Sequence, residues 1–301
     1  MGSQRTLTDK PKSQGVADLS PHRSRFEFGK NWKSFLGVLD EGRILEAERS
    51  LQSMLRVDNL QGMRFLDAGC GSGLFSLAAS RLGASVHSFD IDPISVSAAQ
   101  EVRARYAGPG RPWITEIGSL LDPAYLSSLG QFDVVYSWGV MHHTGAMRQA
   151  FQNIAPLVSD GGSLFISIYN YQVYWSGFYR LIKRTYVSSP RIGRVIILGI
   201  YSAVEVAKGV IKDLIFLRNP ITRYSKKRSD RGMSVWHDWR DWIGGYPFET
   251  AKPEEVFDFF RKLGFQLEVL KTCGGGHGCT ACHLPRGRGG DAGRLHRNGC
   301  R

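Results

Sequence analysis

A glycine-rich stretch early in the chain has the spacing of a loop that brings backbone close to a ligand. In LDAGCGSG (66–73), Gly69, Gly71 and Gly73 alternate with other residues, and Asp67 precedes them. Glycine permits tight turns and close approach, so such a loop between a strand and a helix is typical of nucleotide binding, although it can also serve only the turn. A second acid, Asp90, follows about twenty residues later.

Two common nucleotide loops do not fit this stretch. A phosphate-binding P-loop requires Lys and Ser or Thr after its last glycine, and a dinucleotide loop requires a third glycine at position 74. Here Leu74 and Phe75 follow the last glycine. Asp90 ends a predicted strand and is placed to accept hydrogen bonds from two ribose hydroxyls, so the pattern favours an adenosine without a pyrophosphate.

Two histidines lie after a later apolar run, in FDVVYSWGVMHHTG (132–145). Histidine is the side chain whose ordinary pKa suits proton removal near neutral pH. His142 and His143 are therefore the candidate catalytic residues. The alternative is that the pair only shapes the pocket.

A cluster of rings and acids occupies MSVWHDWRDWIGGYPFE (233–249). We interpret it as a loop-like pocket or lid rather than a helix, with Trp236, His237, Asp238 and Tyr246 as candidate substrate-binding residues. Asp241 is a further possible contact. The alternative is an aromatic plug that seats an insertion on the main domain.

The elements around these residues alternate between strand and helix. Apolar runs at 63–69, 85–91, 113–118, 132–140 and 162–170 predict strands, separated by helical patterns such as 72–83, 93–108 and 144–158. Such alternation predicts a parallel α/β sheet with right-handed crossovers. The alternation of strands and helices stops at 171–249 and resumes with a helix at 253–264 and a strand at 265–271.

Five segments follow from this pattern. We expect a disordered lead-in at 1–25 that is not a signal peptide, and a ligand-binding α/β domain with N-terminal helices at 26–170. A helical, basic and aromatic insertion follows at 171–249, then a return to the α/β domain at 250–271 and a disordered tail at 272–301. Beyond Lys271 the large aliphatic residues are Leu284 and Leu295, so a final strand of the sheet is predicted to be lost.

Charge is unevenly distributed. The chain carries a formal net charge of +12, but residues 60–170 hold six Arg and eight Asp or Glu, a net of −2. Residues 171–231 hold thirteen Lys or Arg and three acids, a net of +10. The basic character therefore belongs mainly to the insertion, and an anionic partner would meet that segment.

The insertion contains one long apolar segment, 191–219. Glu205, Lys208, Lys212 and Asp213 interrupt it and gather on one helical face, which argues against a membrane span. The pattern favours an amphipathic helix that covers the core or lies at a membrane interface, flanked by SKKRSDR (225–231). We expect a cap over the site that contacts anionic lipid; a plain solvated basic surface is the alternative.

The cysteines do not indicate a disulfide framework or a metal. Four of the five lie near the C-terminus, and CTACH (279–283) matches the haem-attachment pattern. Covalent haem attachment requires an exported chain, and residues 1–25 are not expected to be a signal peptide. One Cys/His cluster without a second ligand pair is weak evidence for a zinc site. No metal is predicted.

Taken in order, LDAGCGSG, FDID and FDVVYSWGVMHHTG resemble the class I S-adenosylmethionine-dependent methyltransferases, and most of all the branch with the ubiquinone-biosynthesis O-methyltransferase. The resemblance covers about residues 26–170 and 250–271. It implies a Rossmann-like seven-stranded sheet, with a helical insertion after strand five, that binds S-adenosylmethionine.

The resemblance also implies roles for the site residues. Asp67 and the loop glycines Gly69, Gly71 and Gly73 would hold the methionine end, and Asp90 would bind the ribose. Ile91 would pack on the adenine and Ser119 and Leu120 would close its pocket. Trp138 would line the reaction side.

The function expected from this resemblance is methyl transfer, in the form of O-methylation of a small-molecule, quinol-like, glycan or lipid-linked acceptor. Two alternatives are a nucleic-acid methyltransferase, disfavoured by the near-neutral sheet domain, and a cofactor-binding protein inactivated by its altered C-terminus. We expect a cytoplasmic protein with peripheral contact at the inner face of the membrane. The acceptor atom and the oligomeric state stay open.

Overall fold

The structure is a computed structural model that describes residues 28–217, 235–273 and 278–287. The predicted lead-in 1–25, the basic run 225–231 and the end of the tail lie outside these residues. The helices are α1 (Phe28–Phe35), α2 (Glu41–Leu55), α3 (Leu74–Arg81), α4 (Pro93–Tyr106), α5 (Pro123–Ser128), α6 (Met147–Ile154), α7 (Trp175–Ser188), α8 (Arg191–Ile215), α9 (Val235–Gly244) and α10 (Pro253–Arg261). The strands are β1 (Arg64–Ala68), β2 (Ser85–Asp90), β3 (Trp113–Ile117), β4 (Phe132–Trp138), β5 (Val158–Tyr169), β6 (Val269–Lys271) and β7 (Cys279–Pro285).

The seven strands form one sheet in the order β3-β2-β1-β4-β5-β7-β6. The first five strands are parallel, as the alternation of strands and helices predicts. β7 is antiparallel to both of its neighbours, β5 and β6. The strand order reverses between β1 and β4, and ligands of open α/β sheets bind at the carboxyl ends of strands beside such a reversal.

Helices cover both faces of the sheet. One face packs against α2, α3 and α4 through a cluster that includes Ile44, Leu51 and Leu77. The other face packs against α6 and α10 through Phe151, Ile154 and Phe260. Because the central strands are covered on both sides, they are rich in apolar residues, and this is why the sequence locates them well.

The predicted loss of the final strand is wrong. Cys279–Pro285 forms β7, which pairs with β5 over seven residues and is buried from Thr280 to Leu284. The tail 272–301 is therefore not disordered throughout. The strand was missed because small and polar side chains fill its buried positions, so it lacks the run of large aliphatic residues by which β1 and β4 are recognised.

The insertion is helical, as predicted, but the stretch 233–249 is not loop-like throughout. Val235–Gly244 forms the helix α9, in which Trp239 and Trp242 stand three residues apart and so share a face. The composition of rings and acids hid this spacing. No helix among the described residues is long and apolar enough to cross a membrane.

Candidate cofactor and acceptor site

The glycine loop between β1 and α3 is built from left-handed backbone. Gly69, Gly71 and Gly73 have φ of 88°, 54° and 78°. A Cβ on Gly69 would lie 2.5 Å from the Val140 side chain, and one on Gly73 would lie 2.8 Å from Ala99. The turn and the close packing therefore both require glycine here.

Asp90, at the end of β2, fixes this loop and faces the cavity. Its Oδ2 accepts from the Gly71 N–H at 3.0 Å, and its Oδ1 accepts from the Asp92 N–H at 2.9 Å. Burial raises the pKa of Asp90 to about 6, while these backbone donors act in the opposite direction. A carboxylate held in this way still has lone pairs that can accept hydrogen bonds from hydroxyls.

Asp67 lies at the end of β1 and is buried, with its Oδ2 accepting from the Ser76 hydroxyl at 2.6 Å. Burial raises its pKa to about 7. Gly69 lines the adjoining cavity, whereas Asp67, Gly71 and Gly73 are not among its lining residues. The predicted contact of Asp67 with the methionine end of a cofactor stays a prediction.

A cavity of ≈ 710 Å³ opens at the carboxyl ends of the parallel strands. Among the predicted cofactor residues, Asp90, Ile91, Ser119, Leu120 and Trp138 line it. Ile91 is 42% exposed, so its apolar side chain is accessible to a ligand, whereas Leu120 is buried in the cavity wall. The structure thus brings most of the predicted cofactor residues to one cavity.

The helix α1 closes the cavity beside the glycine loop. Its Trp32 lies against Gly71, where an added Cβ would come within 2.9 Å of the indole. The Gly29 N–H donates to Asp92 Oδ2 at 2.9 Å, and Asn31 Nδ2 donates to Asp241 Oδ1 at 2.7 Å. The sequence predicted helices here but gave no signal for their position over the site.

His142 and His143 both line the cavity, and their hydrogen bonds give them different tautomers. The Pro247 carbonyl can only accept, so His143 Nδ1, 2.8 Å away, carries the hydrogen and leaves Nε2 as an acceptor. The Tyr169 N–H donates to His142 Nδ1 at 3.2 Å, which leaves the hydrogen of that neutral ring on Nε2.

Burial favours the neutral form of both histidine rings. Burial, with Lys183 adding to it, lowers the pKa of His143 to about 3. Burial lowers the pKa of His142 well below its usual value, with smaller contributions from His143 and Lys183. His142 is buried, whereas His143 is half-buried, so of the two His143 has the more accessible ring.

The insertion supplies the opposite wall of the cavity. Tyr201 and Glu205 come from α8, Trp239, Asp241 and Trp242 come from α9, and Tyr246 follows. The Tyr201 and Trp242 rings are stacked, with centroids 5.0 Å apart. The predicted residue Tyr246 and the possible contact Asp241 are therefore brought to the cavity, and Tyr201, Glu205, Trp239 and Trp242 were missed.

The remaining predicted substrate residues cannot be placed at this wall. Trp236, His237 and Asp238 belong to α9, but their side chains lie outside the described residues. Tyr201 and Glu205 carried no signal of a site because, in sequence, they belong to a long amphipathic helix. Across the described residues, no group of three or more His, Cys, Asp or Glu could hold a metal ion.

The strand order, the glycine loop and the acid at the end of β2 are those of the class I S-adenosylmethionine-dependent methyltransferases. The chain belongs to the methyltransferase domain family, whose family model, described as "Methyltransferase domain", matches residues 39–204, more than half of the chain.

Curated relatives of the chain include ubiquinone biosynthesis O-methyltransferases. The protein of that name from Vibrio parahaemolyticus is 26% identical over 161 residues, which cover 53% of this chain and 66% of the relative. The one from Xanthomonas euvesicatoria pv. vesicatoria is 34% identical over 111 residues, covering 37% and 45%. The chain thus spans between about half and two thirds of the length of these relatives.

Solved structures agree on the fold. The magnesium protoporphyrin IX methyltransferase from Synechocystis PCC 6803, with bound SAH, has a TM-score of 0.50 at 16% identity, covering 85% of this chain and 93% of the other. An O-methyltransferase family protein from Burkholderia thailandensis also has a TM-score of 0.50, at 14% identity, covering 82% and 57%.

Proposed function

We propose that this chain transfers a methyl group from S-adenosylmethionine to the oxygen of a hydroxyl acceptor. The observation that carries the proposal is one cavity lined by Gly69 of the glycine loop, by Asp90 and by the histidine pair His142 and His143. Membership of the methyltransferase domain family supports the same conclusion.

The residues present fit this cofactor. Asp90 would accept hydrogen bonds from the ribose hydroxyls, Ile91 would pack on the adenine, and Ser119 and Leu120 would close the adenine pocket. The carboxylate of the cofactor would lie near the N-terminus of α3, where unpaired N–H groups favour an anion. Asp67 and the loop backbone would hold the methionine end. A sulfonium supplies a methyl group that is already activated.

His143 would orient the acceptor and take its proton. Its Nε2 lone pair can accept a hydrogen bond from the hydroxyl, which aims the oxygen at the methyl group. A ring with so low a pKa is a weak base. It is sufficient because an oxygen that gains a methyl group becomes strongly acidic, so the proton leaves as the bond forms. His142, fixed by the Tyr169 N–H, would support the orientation of this ring.

An acceptor with a flat or ring-shaped reacting group suits the opposite wall. The stacked pair Tyr201 and Trp242 offers a flat apolar surface, and Glu205 and Asp241 offer acceptors for further hydroxyls. The relatives named for ubiquinone biosynthesis support a quinol-like or lipid-linked acceptor. The inactive alternative rested on a lost strand, and β7 removes that premise.

An exposed apolar face on the insertion supports a contact with membrane. On α8, Ile192, Ile196, Ile200 and Val204 recur every four residues and are 48–76% exposed. Of the described α8 residues only Asp213 is buried, so the helix presents its apolar side outward. Tyr201 and Glu205 of the same helix line the cavity, so a lipid-linked acceptor would have a short path from this face.

Basic residues on α7 and at the start of α8 make an anionic bilayer the occupant that we propose. Arg180, Arg184, Arg191 and Arg194 lie on α7 and the first turn of α8. Each Lys or Arg near an anionic surface contributes about 1 kcal/mol, and the apolar face adds to it. We propose that the protein works in the cytoplasm, at the inner face of the membrane.

Calorimetric titration with S-adenosylmethionine and its demethylated product tests the cofactor. Asp90→Ala removes charge-assisted hydrogen bonds of about 1.5–3 kcal/mol each, so affinity should fall about tenfold or more. Transfer of labelled methyl to quinol, glycan and lipid fractions then tests the reaction. Tight binding of NAD with no binding of S-adenosylmethionine would rule out the proposal, and a salt-dependent shift of RNA or DNA would favour the nucleic-acid alternative.

Flotation with neutral and anionic vesicles tests the membrane contact. Ile196→Glu, in the middle of the exposed face, should abolish flotation with anionic vesicles. Ile114→Glu is the matched control, because Ile114 is similarly exposed but lies on β3, and it should float like the wild type. Concentration-dependent dimers in sedimentation, with no flotation of the wild type, would mean that a second copy covers this face instead.

A further inference from the structure

A lysine is completely buried next to the candidate site, and the proposed reaction does not use it. Lys183 of α7 is 0% exposed, and its Nζ donates a hydrogen bond to the Trp242 carbonyl of α9. Burial of an amine is costly, because the charged form loses its hydration. A lysine that stays buried at this cost is expected to have a role for its amine.

Three ring faces surround the Lys183 amine. Its Nζ lies 4.1 Å from the ring centroid of Trp242, 4.9 Å from that of Phe248 and 5.2 Å from that of Tyr169. Such faces attract a cation and partly replace the lost hydration. Burial lowers the pKa of Lys183 well below its usual value, while Cys279 of β7 and Asp241 of α9 favour its charged form.

The carbonyl that Lys183 reaches is at the end of the helix that forms the acceptor wall. The last carbonyls of a helix lack partners within the helix, and a cation is favoured there. The Asp241 carbonyl accepts from the Gly245 N–H and the Gly244 carbonyl from the Tyr246 N–H, and Lys183 provides a donor for the Trp242 carbonyl. The contact holds α9 beside α7.

The same region fixes His143. The His143 ring bonds the Pro247 carbonyl, three residues beyond α9, and packs so closely on Gly245 that an added Cβ would lie 2.4 Å from its Cε1. The titratable groups that act on this cluster are His142, Asp241, Cys279 and Lys183 itself. A charge on Lys183 opposes protonation of His143, in addition to the larger effect of burial on the pKa of that ring.

We propose that Lys183 is a positioning residue: its buried amine anchors the carboxyl end of α9 and thereby the segment after it, whose Gly245 and Pro247 hold the His143 ring with Nδ1 on the Pro247 carbonyl. The amine does not line the cavity, so it acts on the acceptor through His143 and Trp242. This inference rests on the proposed role of His143, but the protonation of that ring can be measured with no acceptor present.

The test is an NMR titration of the full chain carrying isotope-labelled histidine, with the His142 and His143 signals assigned from His142→Gln and His143→Gln. Three variants are compared with the wild type. Lys183→Met removes both charge and donor, Lys183→Gln removes the charge and keeps a donor, and Lys262→Gln is the control at an exposed lysine.

In the wild type, the His143 ring should stay neutral, with hydrogen on Nδ1, down to at least about pH 5. In both Lys183 variants its titration midpoint should rise by about one unit or more, because the opposing charge is gone. The Trp242 indole signal should change more in Lys183→Met than in Lys183→Gln. Lys262→Gln should match the wild type.

Two results would overturn the inference. One is a wild-type His143 that titrates near pH 6.5, which needs no variant to be observed. The other is an unchanged His143 titration in a Lys183 variant that still folds, as judged by circular dichroism. Failure to bind S-adenosylmethionine would contradict the proposed function but leave these titrations intact, so the two failures can be told apart.

Discussion

The two histidines of the site differ in their hydrogen bonds, and this difference gives them separate roles. His143 points an unprotonated Nε2 away from its Pro247 contact, whereas His142 receives the Tyr169 N–H and is buried. We therefore expect His143→Gln to slow methyl transfer by roughly a hundredfold with cofactor affinity unchanged.

The companion variant distinguishes the two rings. His142→Gln should reduce transfer less, because an amide oxygen can still accept from the Tyr169 N–H. Single-turnover rates with a labelled cofactor, after an acceptor is found, measure both. Equal rates in wild type and both variants would mean that the acceptor arrives already ionised.

Asp67 makes the stability of the ligand-free protein depend on pH. The pKa of Asp67 is about 7 in the folded protein and 3.8 ordinarily, so the folded state binds this proton more tightly than the unfolded state. The stabilisation is therefore fully present below about pH 4 and is lost as the pH rises through 7. The loss amounts to roughly 4 kcal/mol. Asp67→Asn should remove much of this slope in urea denaturation between pH 5 and 8.

An exposed acid provides the control for this measurement. Asp258→Asn, at a side chain that is 57% exposed, should leave the slope as in the wild type. A residual slope in Asp67→Asn is expected from Asp90, whose pKa is also raised. The same slope in Asp67→Asn as in the wild type would show that Asp67 is ionised throughout.

At the scale of elements, β7 is held by its position in the sheet. Its Leu284 is 0% exposed and joins the cluster of Phe151 and Phe260. Leu284→Ala should cost about 2–5 kcal/mol in unfolding experiments, because the site cannot fully collapse around the cavity that the substitution leaves.

The neighbouring strand offers a matched comparison. Leu270 of β6 is 45% exposed, so Leu270→Ala should cost about 1 kcal/mol or less. Similar losses for the two variants would mean that β7 is not packed as described.

How much the sequence could predict differs between these parts of the fold. Parallel strands such as β1 and β4 were predictable because both of their faces are largely buried and most of their positions are apolar. The glycine loop and Asp90 were predictable because their roles follow from local backbone. His143 depends on Pro247, 104 residues away, and α9 depends on its packing against α1 and α7, so no local pattern could reveal the acceptor wall.

At the scale of the whole molecule, the separation of charge predicts how salt acts. The insertion segment 171–231 is at +10 and residues 60–170 are at −2. Raising salt from about 0.05 M to 0.5 M shortens the screening length, so flotation with anionic vesicles should fall several-fold. It should not vanish, because the apolar face of α8 is insensitive to screening. Complete loss at high salt would assign the contact to charge alone.

The antiparallel strand β7 also constrains how the protein is made. It follows β6 in the chain but lies between β5 and β6 in the sheet. A growing chain therefore cannot complete its sheet when β6 leaves the ribosome, because the neighbour that joins β6 to β5 has not yet been synthesised. Until Pro285 emerges, the edge of β5 stays open to pairing with other chains.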